Sequence, residues 1–185
     1  MLTIGDRFPE FNLTAVAGGD ATKLDVLNAF SSVTNETYKG KWKIVFFYPK
    51  DFTFICPTEL VGFSDLDSEF KSRNTQVLGA SVDNEFVHLA WRQNNKSLNN
   101  IAYPMLSDIK KELSLELGIV NDSGVTDRAL FIVDTDDVIR FVMVTDMSVG
   151  RNPQEVLRIL DALQNGGLCP CNWNKGQETI DLKKV

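Results

Sequence analysis

Three cysteines, Cys56, Cys169 and Cys171, are the residues of this sequence best placed to do chemistry. Cys56 lies in Tyr48-Pro-Lys-Asp-Phe-Thr-Phe-Ile-Cys-Pro-Thr-Glu-Leu60, between an apolar run of strand length and a stretch with helical periodicity. Pro57 suits the first turn of that helix, where a missing N–H costs nothing. Cys56 is therefore expected at a helix start, facing unpaired N–H groups and the positive end of the helix dipole. Such a place favours the thiolate, the nucleophilic form of cysteine. The local side chains do not help, since Lys50 is outnumbered by Asp51 and Glu59. The fold must bring a cation from elsewhere. Arg128, at the edge of a later strand, and Arg151, after Gly150, are the candidates, and an arginine fork can bind a substrate oxygen as well as the sulfur. Thr53 precedes Cys56 by three residues. If the first helical turn begins that early, the two side chains share a face, and a hydroxyl there can accept from a substrate while donating to the thiolate. Against this stands the plain alternative that Cys56 is a buried small hydrophobe. The residues alone leave both readings open.

Other chemistries are less well supplied. His88, the single histidine, falls in an amphipathic helix beside Trp91 and reads as structural. A zinc site would need all three cysteines and that histidine to converge, and Cys169-Pro-Cys171 alone is a weak metal pattern. There is no Cys-x-x-Cys pair of the disulfide-oxidoreductase kind. Asp134-Thr-Asp-Asp137 reads as a solvated turn. No metal and no organic cofactor is expected.

The elements that must position Cys56 follow from periodicity. Residues 43–48 form a buried strand. Leu60, Phe63, Leu66 and Phe70 give one face of a helix over 59–71. A strand at 76–82 is followed by a helix at 84–95 with Phe86, Val87, Ala90 and Trp91 inward. Strands at 129–134 and 138–144 are joined by the turn at 135–137. A last helix, 153–164, carries Val156, Leu157, Leu160 and Leu163 on one side. This β-α-β-α-β-β-α order predicts an α/β, thioredoxin-like fold, a central mixed sheet flanked by helices, with an N-terminal extension and a C-terminal arm. The polar stretch 17–42 reads as a long surface excursion. The expected division is a body, 1–166, and an arm, 167–185, that holds Cys169, Cys171 and Trp173.

The 185 residues have 43% hydrophobic and 24% charged residues, an ordinary globular mixture. The longest apolar runs, Ile44–Tyr48 and Ala129–Val133, are far too short to span a bilayer. A net charge of −6 disfavours nucleic acid and anionic membrane as partners. The first residues, Met1-Leu-Thr-Ile-Gly-Asp-Arg-Phe-Pro9, do not resemble a secretory signal. A cytoplasmic protein is expected, in which structural disulfides are rare.

The stretch around Cys56 resembles the peroxiredoxin motif Pro-x-x-x-Thr/Ser-x-x-Cys, here Pro49, Thr53 and Cys56. More closely, Phe46–Glu59 is similar to the typical two-cysteine, alkyl hydroperoxide reductase C type of that family. The resemblance continues in order through Ser81–Trp91, Pro104–Asp108, Asp127–Asp134 and Val149–Asn152, and so covers nearly the whole chain. It implies a thiol peroxidase that reduces hydrogen peroxide and alkyl hydroperoxides and serves antioxidant defence. Cys56 matches the peroxidatic cysteine. Thr53 and Arg128 match the groups that orient the peroxide, Pro49 the residue that shields the thiolate, and Glu59 and Arg151 the partners of the main arginine. Gly167-Leu-Cys-Pro170 with Asn172-Trp173 resembles the resolving segment, so Cys169 matches the resolving cysteine, which attacks the sulfenic acid of a neighbouring subunit. The resemblance also implies a homodimer that assembles into a ring of five or six dimers.

The sequence departs from the pattern in three places. Cys171 stands where Ala is usual, as in the mycobacterial-type branch. That branch implies an AhpD-like disulfide reductase as electron donor, with an AhpF-like reductase or thioredoxin as alternatives, and Cys171 as a relay thiol or a neutral replacement. The Gly-Gly-Leu-Gly insert of overoxidation-sensitive members is missing at Lys96–Ile101, and the Tyr-Phe ending is absent at Asp181–Val185, which implies resistance to overoxidation. The same fold could also serve as a chaperone-like binding module, which would act without Cys56.

Overall fold

The computed structural model describes residues 1–183; the final two residues of the Asp181–Val185 ending lie outside the described residues. Its seven strands are β1 (Asn12–Val16), β2 (Phe30–Thr34), β3 (Trp42–Phe47), β4 (Thr75–Ser81), β5 (Met105–Ser107), β6 (Arg128–Val133) and β7 (Ile139–Thr145). The five helices are α1 (Cys56–Asp65), α2 (Asp67–Ser72), α3 (Glu85–Asn94), α4 (Glu112–Leu117) and α5 (Pro153–Asn165). All strands join one sheet in the order β2-β1-β5-β4-β3-β6-β7. The β3–β4 and β4–β5 pairs are parallel and the remaining pairs antiparallel.

The apolar run of β3 is explained by burial on both faces. Because side chains alternate along a strand, Val45 and Phe47 enter one core with Phe8, Phe11, Phe131, Leu113 and Leu117. Ile44, Phe46 and Tyr48 enter the other with Leu60, Phe63, Trp91, Val156 and Leu160. Cys56 belongs to the second core. The thiol thus sits where the end of the central strand, the start of α1 and the underside of α5 meet.

Several expectations need correction. The N-terminal extension and the stretch 17–42 are not outside the fold. β1 pairs with β2 from Asn12↔Thr34 to Val16↔Phe30, and its other edge pairs with β5. β2 escaped notice because Phe-Ser-Ser-Val-Thr buries only Val33. β5, with three residues, and α4, with six, are too short to show a period. Asp108 nevertheless caps α4, its carboxylate accepting from the N–H groups of Leu113 and Ser114. The helix expected over 59–71 is two, broken at Leu66. α3 is turned away from the expected face. Phe86 is 55% exposed, while His88, Leu89, Trp91 and Arg92 are buried. Hydrophobicity alone cannot foresee this, because His88 and Arg92 are drawn inward by specific polar partners.

Arg92 shows what those partners do. Its fully buried guanidinium donates to the carbonyls of Ala17, Gly19 and, at longer range, Leu98 and Ile101. Burial pulls its pKa down to about 10. Gly18 lies so close to the Ala102 carbonyl that a Cβ would stand 2.5 Å from that oxygen. The polar stretch is thereby stapled to α3 and to the following loop. Arg92→Met leaves the Ala17 and Gly19 carbonyls without the donor that holds them. It is expected to cost on the order of 3 kcal/mol, or roughly 6–12 °C in Tm. An unchanged thermal midpoint would contradict this account.

Beyond α5 the chain turns back on itself, with one bridge between Leu168 and Ile180. Trp173 is the only buried residue among the described residues after Asn165. Its indole N–H donates to the Gln177 carbonyl, and Nη1 of Arg158 on α5 donates to the Trp173 backbone carbonyl at 2.8 Å.

Candidate active site

β3 ends at Phe47, and Tyr48 and Pro49 continue into the interior before the chain turns through residues 50–55. That turn includes Phe52 in a left-handed conformation, φ 56°, with its ring 5.9 Å from Trp91. α1 then begins at Cys56 itself, with Ile55 as N-cap and Pro57 in the first turn. The expected helix start is borne out, and the Cys56 thiol has no exposed surface.

The cation that the sequence required comes from β6. Arg128, its first residue, is 4% exposed and donates through Nη1 to Cys56 Sγ at 3.4 Å. The same Nη1 donates to Glu59 Oε2 at 2.7 Å, and Nε donates to the Met147 carbonyl at 2.8 Å. Glu59 lies on α1, one turn beyond Cys56. Arg151 grips it from the other side. Its backbone N–H and Nε donate to Oε1 at 2.9 and 2.7 Å, and Nη2 donates to Oε2 at 2.9 Å. Nη1 of Arg151 donates to the Ala129 carbonyl, and the guanidinium lies 5.3 Å from the centroid of Phe46. Burial alone would raise the Glu59 carboxyl, but the hydrogen bonds and charge of Arg151, with the charge of Arg128, hold it below its ordinary range. One buried carboxylate thus orients two buried arginines, and one of these points at the sulfur. Gly150 packs against Ile55 and Glu59, which brings Arg151 to the carboxylate.

The remaining candidates are placed as follows. Pro49 is buried at the base of the loop. Thr53 lies in the loop and not in α1, so the shared helical face is not formed. Its hydroxyl donates to the Lys50 carbonyl at 2.9 Å and not to the thiol. Cys169 is partly exposed, with Sγ 3.7 Å from the Ala162 carbonyl, and Cys171 is exposed. All three cysteines are free. His88 is fully buried between Asp51 and the Leu106 carbonyl, as a structural residue would be. Among the described residues no three His, Cys, Asp or Glu side chains cluster as metal ligands, and no helix is long and apolar enough to cross a membrane. Sequence reasoning missed Asp51 and Met147. Asp51 was counted only as a charge near Cys56, and Met147 acts through its carbonyl, which no side-chain pattern reveals.

Comparison with known proteins agrees with this geometry. Over its whole length the chain is 54% identical to alkyl hydroperoxide reductase C of Mycolicibacterium smegmatis, covering 96% of that protein. The structure superposes on Mycobacterium bovis AhpC with a TM-score of 0.87 at 52% identity, covering 94% of this chain and 99% of that one. A reduced 2-Cys peroxiredoxin of Plasmodium vivax gives a TM-score of 0.87 at 33% identity, covering 96% and 92%. These likenesses identify the mixed seven-stranded sheet as the thioredoxin-like fold of peroxiredoxins. The sequence pattern of the AhpC/TSA family matches residues 4–142, and the chain belongs to that family.

Proposed function

We infer that this chain is a thiol-dependent peroxidase for hydrogen peroxide and alkyl hydroperoxides, acting through Cys56. The observation that carries this reading is the hydrogen bond from Arg128 to Cys56 Sγ at the start of α1. An arginine donor stabilises negative charge on the sulfur and can also hold a peroxide oxygen. The Cys56 thiolate attacks the distal, protonated oxygen of ROOH. The S–O bond forms as the O–O bond breaks, and the departing RO⁻ takes up a proton to leave as ROH. Cys56 is oxidised by two electrons to the sulfenic acid. In this reading Arg128 and Thr53 orient the peroxide, Pro49 keeps water from the thiolate, and Glu59 and Arg151 hold Arg128. The test is to treat reduced protein with one equivalent of cumene hydroperoxide and trap the product with a sulfenic-acid reagent. The adduct is expected on Cys56. An adduct confined to Cys169 or Cys171 would overturn the assignment.

Resolution is assigned to Cys169 of a second copy, with residues 167–185 acting as the arm. A buried sulfenic acid must be exposed before a thiol can reach it, and both partners here are poised to open. The first turn of α1 is a short element, and among the described residues the arm buries one side chain, Trp173; such segments open at low cost. The exposed Phe52 and Phe54 of the loop suit a contact between copies. A ring of five or six dimers built on that surface would be sensitive to any movement of the loop. Reduced and oxidised protein are therefore expected to differ in apparent mass on size-exclusion chromatography. A monomer in both states would refute this assembly.

Cys171 is assigned to recycling. It is exposed and two residues from Cys169, so it can attack a Cys56–Cys169 bridge and pass the disulfide to a cytoplasmic donor, an AhpD-like reductase first, with an AhpF-like reductase or thioredoxin as alternatives. A bridge within Cys169-Pro-Cys171 would close a small, strained ring that is easily reduced. Cys171→Ser is expected to leave the oxidation of Cys56 unchanged and to slow donor-dependent turnover. Equal steady-state rates with all three donors would make Cys171 a bystander.

A further inference from the structure

A buried polar cluster lies behind the loop that leads to Cys56. Asp51 Oδ1 accepts from the Tyr48 hydroxyl at 2.9 Å, and Oδ2 lies 2.7 Å from His88 Nδ1. The backbone N–H of Asp51 donates to Asp83 Oδ2 at 2.9 Å, and that oxygen also accepts from Ser81 Oγ. His88 Nε2 lies 3.1 Å from the Leu106 carbonyl. A carbonyl only accepts, so Nε2 carries a proton and His88 meets Asp51 through Nδ1. Ser107 Oγ donates to the Asp83 carbonyl, and Thr126 Oγ1 donates to the Tyr48 carbonyl. Groups from β4, α3 and β5 thus converge, directly or through Asp83, on one loop residue that is 7% exposed. Side-chain and backbone groups of Asp51 are both held.

The cluster fixes more than packing. Lys50 lies between buried Pro49 and the doubly held Asp51, so the direction of its carbonyl is set by them. That carbonyl accepts the proton of Thr53 Oγ1. A hydroxyl has one proton to give. With it committed to Lys50, Thr53 offers only lone pairs to a ligand. The distal oxygen of a hydroperoxide carries the molecule's O–H, and it is the atom that the sulfur must attack. A pure acceptor at Thr53 selects that oxygen.

We propose that Asp51 and His88 are positioning residues for the peroxide reaction, holding the Lys50 carbonyl so that Thr53 acts only as an acceptor for the peroxide O–H. The proposal rests on the reading of Thr53 as a peroxide ligand given above. It is tested in a chain whose Cys169 and Cys171 are replaced by Ser, by comparing the rates at which Cys56 reacts with hydrogen peroxide and with iodoacetamide. Alkylation reports thiolate formation and access but needs no oriented O–H. Asp51→Ala and His88→Ala are expected to slow the peroxide reaction about tenfold or more, the size of one lost hydrogen bond to the reacting group. Alkylation should stay within about twofold of the parent on the same scale. Asp51→Asn, which can still accept from Tyr48 and donate to His88, should recover most of the rate. If the alanine variants do not fold, Tyr48→Phe decides, with a smaller loss confined to peroxide. Loss of both reactions together, or of neither, overturns the proposal. Thr53→Val separates the two levels. If it keeps the peroxide rate, the reading of Thr53 fails; if it loses the rate while Asp51→Ala keeps it, only the role of Asp51 and His88 fails.

Discussion

Cys56→Ser is expected to fold and assemble as the parent does and to reduce no hydroperoxide above background. The substitution changes one atom in a fully buried site, and the serine hydroxyl can accept the Arg128 N–H that the sulfur accepts now. The exchange nearly conserves volume, and the buried hydroxyl keeps a hydrogen-bond partner in Arg128. The chemistry, in contrast, has no substitute. A hydroxyl is not ionised at neutral pH and cannot take an oxygen from a peroxide as a thiolate can. Peroxide consumption under steady-state conditions, with thermal denaturation as the control for folding, checks both halves. Activity of more than a few per cent of the parent would place the reaction elsewhere in the chain. Suppression of aggregation that persists in the same variant would instead favour a binding role for the fold.

Glu59→Gln is expected to have the largest effect on stability. The Glu59 side chain is 1% exposed, and its two arginine partners are 5% and 0% exposed. With a neutral amide between them, two buried guanidinium groups lose the carboxylate charge they share. Breaking a buried pair by removing one partner costs about 3–5 kcal/mol, which for a chain of this size lowers Tm by roughly 6–20 °C. The pH dependence has a definite sign. The carboxyl titrates below its ordinary range in the folded protein, so its contribution is complete above that range and is lost as pH falls through the depressed folded value. Parent and variant should therefore differ most near neutral pH and converge in acid, below the ordinary carboxylate range. A gap that widens in acid would show that Glu59 is not held as its contacts indicate. The peroxide reaction should slow as well, because Arg128 loses the tether that aims it at the sulfur.

The core of the fold was legible because its elements repeat. β3, α1 and the β6–β7 hairpin have runs or periods long enough to read, and Pro57 put the helix start at or beside Cys56. Arg128 was reachable because the charges around Cys56 were of the wrong sign, and it and Arg151 were the two candidates to correct them, Arg128 from its place at a strand end. What stayed hidden depends on backbone groups. The stretch 17–42 looked like an excursion because β2 buries only Val33 and because its start is held through the carbonyls of Ala17 and Gly19, bound by Arg92. The face of α3 was misread because His88 and Arg92 are polar and yet turned inward. A bond from the Thr53 hydroxyl to the thiolate was expected only if α1 began at Thr53, whereas in the turn that hydroxyl donates to the Lys50 carbonyl. In each case a main-chain oxygen, present at every residue and so silent in any pattern of side chains, decides where the side chain goes.

The single buried indole after α5 gives the molecule an optical consequence. Trp173 is 2% exposed, and its N–H is bonded to the Gln177 carbonyl. If the segment bearing Cys169 leaves α5, this ring passes from a buried, hydrogen-bonded place into water, and its emission shifts to the red. Trp42 belongs to the sheet and provides a nearly constant background to that change, whereas Trp91 of α3 lies 5.9 Å from Phe52 and follows the loop instead. The protein thus contains its own dye for the detachment of the arm, readable in real time without a label.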